Sequence, residues 1–280
     1  MRLILDGAAS GARNMAADEA LLVSGAAPDA APVLRFYSWN PACLSLGRFQ
    51  KFESIARSSA LLGEWDENAE SGIDWVRRPT GGRAVWHQNE ITYSFVVRAE
   101  FLPPQAQSVA GAYRFLSAAF VDGLATLGVR AALAPAESRE QREMAAHSAN
   151  CFALATRCDF LVDNRKLIGA AQARKNGAVL QHGSLLLDID ETAWQRAVGS
   201  DETTSMISLR ALGVTHSRDE IIAALCGGVQ RVFDTKLVQS DWSESEATLA
   251  KGLQRKYEDA SWNRDGKENQ GNFARAEHLS

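Results

Sequence analysis

Between Gln107 and Leu127 the apolar residues Val109, Tyr113, Leu116, Phe120, Leu124 and Leu127 recur at steps of three and four, which predicts one long amphipathic helix. A second helix is expected from Asn14, as its cap, through Leu22, with Asp18 and Glu19 near its positive end. Two more begin at the capping-box spacings Ser217-x-x-Glu220 and Ser243-x-x-Glu246. Apolar steps follow each box: Ile221, Leu225, Val229 and Val232 in one, Leu249, Leu253 and Tyr257 in the other.

Strand-like runs occupy Leu34–Trp39, Cys43–Leu46, Trp75–Arg78, Ala84–His87 and Thr92–Arg98. They are rich in β-branched and aromatic residues and are punctuated by Asn40-Pro41, Pro79 and Gly81-Gly82. Further strands are expected at Phe160–Val162, Leu167–Arg174 and Ala178–Leu187, the last two joined through Lys175-Asn176-Gly177. Asn-Gly favours a tight hairpin because both positions tolerate positive φ. From Pro135 to Asn150 the chain is polar and charged and reads as a mobile loop leading into Cys151.

Strands mixed with helices, a hairpin and no βαβ alternation indicate a mainly antiparallel α+β domain. One domain over residues 1–263 is expected, because two or three helices use up the chain between Leu187 and Asn263. The polar, glycine-containing residues 264–280 are expected to be a disordered tail.

The chain is 46% hydrophobic and 23% charged, with a net charge of −4. That balance favours neither nucleic acid nor an anionic membrane surface as a partner. Cys43, Cys151, Cys158 and Cys226 lie far apart without C-x-x-C or paired histidine spacing, which argues against a structural metal site or a disulfide framework. Reduced thiols in the cytoplasm are the expected state. Leu3-Ile4-Leu5 is too short for a signal-peptide core, and no apolar run approaches the ~20 residues of a membrane span.

The densest chemistry lies in Arg77-Arg78-Pro79-Thr80-Gly81-Gly82-Arg83-Ala84-Val85-Trp86-His87. A paired glycine turn exposes N–H groups to a carbonyl or phosphate oxygen; read alone, it is also a plain hairpin turn with solvent-exposed arginines. Cys151 precedes Asp163-Asn164-Arg165-Lys166, with fifteen residues from Cys151 to Lys166. Singly, the cysteine is a small buried hydrophobe and the lysine a solvated turn residue. Jointly, they offer a nucleophile and the cation that lowers a thiol pKa from about 8.5. Gly169-Ala170-Ala171-Gln172 and Gln181-His182-Gly183-Ser184-Leu185-Leu186 are small-residue strands that let a chain or ligand approach closely. His182 and His87 suit either the site or a satisfied core position.

Taken whole, the string from Arg77 to His87 resembles the signature of the biotin/lipoate protein ligase superfamily, and Arg83 in place of a third glycine is similar to its octanoyltransferase branch. The Cys151–Lys166 spacing resembles that branch too, with Asn164 where a glycine is usual. The two small-residue strands, the Asn14–Leu21 helix and the turn Leu46-Gly47-Arg48-Phe49-Gln50 fall in the family's order. A departure is Ala155-Thr156-Arg157-Cys158, where a Pro-Ser pair and an aromatic are common; it leaves Cys158 as a competitor to Cys151, which keeps the family register.

The resemblance implies the fold shared with biotin ligases and class II aminoacyl-tRNA synthetases, a central antiparallel sheet flanked by helices. It implies transfer of an octanoyl group from acyl carrier protein to a lysine of a lipoyl domain, with the glycine cleavage H protein as acceptor, and no ATP, cofactor or metal. Cys151 and Lys166 would be catalytic. Arg78, Gly81, Gly82, His87, Gly169, Gln172, His182 and Gly183 would bind the acyl substrate. Two other readings fit the same resemblance: an ATP-dependent lipoate ligase, in which Lys166 contacts carboxylate and phosphate, and a non-catalytic acyl- or partner-binding homologue.

Overall fold

The computed structural model describes residues 1–63, 74–134, 159–199 and 202–268. Cys151, Cys158 and the charged stretch from Pro135 lie outside the described residues.

The chain opens with strand β1 (Arg2–Ala9), helix α1 (Gly11–Ser24) and strand β2 (Val33–Trp39), and β1 pairs parallel to β2. This βαβ unit is a correction to the expected lack of βαβ alternation. Strand β1 escapes a pattern reading because it is an edge-proximal strand with mixed burial, Leu5 being 47% exposed. The cap of α1 is also corrected. Ser10 Oγ accepts the Arg13 N–H at 3.3 Å, and Asn14 lies a turn inside a helix whose faces are buried nearly all round.

Next come β3 (Cys43–Leu46), the short helices α2 (Phe52–Ala56) and α3 (Ala60–Gly63), β4 (Asp74–Arg77), β5 (Val85–His87) and β6 (Glu90–Arg98). Helix α4 (Val109–Thr126) is capped by Ser108 and buries Tyr113, Leu116, Phe120 and Leu124. Strands β7 (Ala132–Leu133), β8 (Phe160–Val162), β9 (Arg165–Lys175) and β10 (Ala178–Leu186) lead to α5 (Glu191–Val198). The β9–β10 turn has φ of 48° at Asn176 and 85° at Gly177, as Asn-Gly requires, and Asn164 has φ of 62° between β8 and β9. Helix α6 (Arg218–Val232), strand β11 (Val238–Gln239), helix α7 (Glu244–Glu258) and helix α8 (Ala260–Asp265) follow. Both expected capping boxes form.

The main sheet has the order β11-β1-β2-β6-β10-β9-β8-β7, antiparallel except at β11-β1-β2. Alternation sorts its side chains onto two faces. Leu34, Phe36, Tyr93 and Phe95 pack under α4 and α6. Val33, Val96, Ala178 and Leu180 face α1. A second sheet, β4-β3-β5, buries Leu44, Leu46 and Trp86 with Trp194 and Ala197 of α5. Helix α7 closes over α1, where buried Lys256 pairs with Glu19 at 2.9 Å.

The described chain continues past Asn263, where a disordered tail was expected to begin. Asp265 completes α8, Gly266 caps it, and Glu268 meets Lys256 at 2.8 Å. The charge of Lys256 holds these polar residues where apolar content alone would not. Among the described residues no helix is long and apolar enough to cross a membrane.

Candidate active site

A cavity of about 200 Å³ lies between the α1-side face of the main sheet and the small sheet. Met15, Trp39, Leu186, Trp194 and Met206 give it apolar walls, and Ser45, Arg78, His87, Asp159, Lys166 and His182 bring polar groups to it.

The arginine pair ending β4 is buried, not solvent-exposed: Arg77 is 1% and Arg78 5% accessible. The Arg77 guanidinium donates to the carbonyls of Gly47, Gln50, Trp262, Asn263 and Arg264, tying the Gly47 turn to α8. Arg78 donates to the carbonyls of Gly81 and Arg83 and to Ser45 Oγ, and so shapes the glycine turn from inside. Among the described residues it has no carboxylate partner. Burial, then the charge of Arg77, lower its pKa to about 10. Gly82 has φ of +90°, and a Cβ there would meet Arg78 Nη2 at 2.8 Å. Gly47 backs this turn closely enough that a Cβ would fall 1.8 Å from the Gly82 carbonyl oxygen. The Gly47–Gln50 turn therefore supports the site from behind.

Asp18 is the hub beneath the cavity. Its carboxylate receives Arg35 Nη1 at 2.8 Å, the Tyr37 hydroxyl at 2.8 Å and His182 Nδ1 at 2.8 Å. Burial would raise its pKa, but the His182 hydrogen bond and the Arg35 charge outweigh that and hold it below the usual carboxylate value. Burial pushes His182 down despite Asp18, so the imidazole is neutral. The proton is then on Nδ1, facing Asp18, and Nε2 accepts from Thr80 Oγ1 at 2.6 Å. This latch fastens the Pro79–Gly82 turn to β10.

His87 sits in a second network. Its Nε2 is 2.7 Å from Ser45 Oγ and its Nδ1 is 2.7 Å from Glu90 Oε1. Glu90 Oε1 also accepts from Thr92 at 2.6 Å and Ser184 at 2.8 Å. The Trp39 ring stacks on the imidazole at 4.0 Å.

Lys166 Nζ pairs with Asp159 Oδ1 at 2.9 Å at the cavity wall. Its side chain folds over Gly169, where a Cβ would lie 2.6 Å from Lys166 Cε, so a larger residue there would displace the lysine from this path. The Lys166 carbonyl accepts the Ile207 N–H at 2.9 Å, which clamps this strand start.

Of the residues singled out from the sequence, Arg78, Gly82, His87, Lys166, Gly169, His182 and Gly183 line the cavity. Gly81 and Gln172 are not among its lining residues. Gly81 offers its carbonyl to Arg78. Gln172 pairs across the hairpin with Gln181, on the α4 face, and bonds its side chain at 2.8 Å; strand parity sends it away from the site. Cys151 lies outside the described residues. Sequence reasoning missed Ser45, Asp159, Glu90 and the Asp18–Arg35 pair. Asp18 and Arg35 are buried ions, and the apolar pattern around each was the available signal.

Residues 10–230 match the family model described as the lipoyl protein ligase A/B catalytic domain. The octanoyltransferase LipM of Kyrpidia tusciae is 37% identical over 275 residues, covering 94% of this chain and 97% of that protein. The octanoyltransferase LipM of Symbiobacterium thermophilum is 36% identical over 279 residues, with 94% and 97% covered. Among solved structures, a lipoate-protein ligase A bound with ATP aligns with a TM-score of 0.76 at 27% identity, covering 94% of this chain and 98% of its own. With the family model, near full-length relatives and a similar solved structure agreeing, this chain belongs to the lipoyl protein ligase A/B catalytic-domain family, as an enzyme whose relatives are acyltransferases.

Proposed function

We propose that this enzyme moves an octanoyl group from acyl carrier protein to a lysine of a lipoyl domain, that of the glycine cleavage H protein, through an acyl thioester on Cys151. Residues 1–263 act as one catalytic domain. The observation that carries the reading is Lys166, whose ammonium stands at the wall of an apolar cavity in a chain 37% identical to an octanoyltransferase. Elimination adds to it. Burial and the Asp74 charge raise the Cys43 thiol well above its ordinary range, and burial raises Cys226 to about 11. Neither is a thiolate at neutral pH, which leaves Cys151 and Cys158.

In the reaction, the Lys166 ammonium favours the thiolate of Cys151. The thiolate attacks the octanoyl carbonyl, the carrier thiol departs, and one acyl transfer becomes two easier ones. Backbone N–H groups at the Gly82 turn or the start of β9 face the developing oxyanion. The lysine amine of the acceptor then attacks and Cys151 leaves. A thioester is already activated, so this route uses no ATP.

The test is a nucleotide-free assay in EDTA with octanoyl carrier protein and a lipoyl domain. Amide product is expected, with one octanoyl mass mapped to Cys151 before the acceptor is added. Cys151→Ser should abolish both signals and Cys158→Ser neither. Product formed only from free octanoate with ATP and magnesium would make the protein a lipoate ligase instead.

A further inference from the structure

Acyl transfer from a thioester to a lysine ammonium forms one C–N bond and breaks one C–S bond. Of the two protons leaving the nitrogen, one ends on the departing thiol and one is left over. A cavity with apolar walls needs an acceptor for that proton. Lys166 is not free to be one, since as an ammonium it pairs with Asp159. His182 is closed off, because its Nε2 is held by Thr80 and its Nδ1 by Asp18.

We propose that Ser45, His87 and Glu90 form the relay that carries this proton out of the cavity when the acceptor lysine attacks, a role that rests on the transferase reading above. Ser45 and His87 both line the cavity. Glu90 Oε1 takes a proton donor at His87 Nδ1, 2.7 Å away, which leaves Nε2 as the basic nitrogen. Nε2 faces the Ser45 hydroxyl at 2.7 Å. Arg78 Nη1 donates to the same Ser45 oxygen at 3.1 Å, which turns the hydroxyl hydrogen toward His87. Ser45 then receives a proton from the amine as it passes its own to Nε2, and atoms balance with no other reactant.

The imidazolium so formed is provided for. Glu90 lies beneath it, and the Oε2 of that carboxylate is buried with no hydrogen-bond partner among the described residues. The Trp39 face is stacked 4.0 Å from the ring. The other titratable or charged groups facing the pair are Tyr37 from β2, Cys43 from β3, Arg78 from the glycine turn, His182 from β10 and Arg218 from α6. Arg218 is turned to the Glu90 backbone carbonyl at 2.9 Å, so its guanidinium is engaged away from the relay.

The two half-reactions separate this role from a structural one. Acyl-enzyme formation from octanoyl carrier protein and its discharge to a lipoyl domain are timed from about pH 6 to about pH 9. Glu90→Gln, His87→Gln and Ser45→Ala should slow discharge by about 100-fold or more near pH 7, a factor well beyond any slowing of acylation in the same variant. The loss should shrink toward high pH as the acceptor amine arrives deprotonated. Ser45→Thr, which keeps the hydroxyl, should restore discharge. An equal slowing of both steps at every pH would overturn the relay, as would unchanged discharge in Glu90→Gln. An octanoyl mass on Ser45 would overturn it too, making that hydroxyl a nucleophile. If the unaltered protein acylates no cysteine, the transferase mechanism fails on its own. The relay is then read in the overall rate of amide formation, where a loss confined to low pH sustains it and a flat loss ends it.

Discussion

Arg77 and Arg78 stand side by side in the chain and do different work. Arg77 is spent on carbonyl oxygens of two turns and a helix end, whereas Arg78 faces the cavity with carbonyls and one hydroxyl as its partners. Arg78 thus carries its charge to the cavity with no carboxylate beside it among the described residues, and burial lowers its pKa. At the same scale, Lys166 is expected to tune the proposed nucleophile. Lys166→Met removes a neighbouring cation and should raise the pKa of the Cys151 thiol by about 1 unit or more. Alkylation of Cys151 followed against pH measures this, and an unmoved midpoint would assign the lysine to a carboxylate-binding role.

At the scale of elements, α1 shows how a cap and a buried polar residue are told apart. Asn14 has the composition of a cap, yet its amide donates to the carbonyls of Ala9 and Ser38 and its oxygen accepts from Arg35. Ser10 makes the capping bond. Ser10→Ala should therefore cost about 1 kcal/mol. Asn14→Ala should cost more, about 2–3 kcal/mol, because it strips partners from buried groups, one of them a guanidinium. Urea denaturation of both variants orders the two, and a larger loss at Ser10 would contradict the burial argument. Strand parity works in the same way. Gln172 and His182 come from motifs that look equivalent in the chain, but His182 faces α1 and the cavity while Gln172 faces α4.

For the whole molecule, the Asp18–His182 pair couples the site to stability. Both groups have folded-state pKa values below their ordinary ones, so the unfolded chain binds more protons. The stability they contribute is complete above the ordinary histidine value of about 6.5 and falls as pH drops below it. Asp18 adds its own loss below about pH 4. Chemical denaturation at falling pH should show a decline beginning near pH 6.5, and His182→Gln should flatten the part that sets in just below about pH 6.5. An unchanged slope in that variant would mean another group titrates there.

What the sequence determined by itself is local. The helix periodicity, both capping boxes, the Asn176-Gly177 hairpin and the glycine turn after Arg78 each depend on residues within a few positions of one another, so their physics is present in the unfolded chain. The family follows from the same short strings taken in order. Tertiary structure alone decided what depends on distance through space. It joined β1 to β2 in parallel and hid two arginines that a turn reading leaves in solvent. It set Asp18 of α1 against His182 of β10, and it brought Ser45, His87 and Glu90 from three strands into one chain of hydrogen bonds. The sequence can hint that such groups are buried, as the apolar pattern around Asp18 and Arg35 does, but it does not name their partners, which meet only when the chain folds around the cavity.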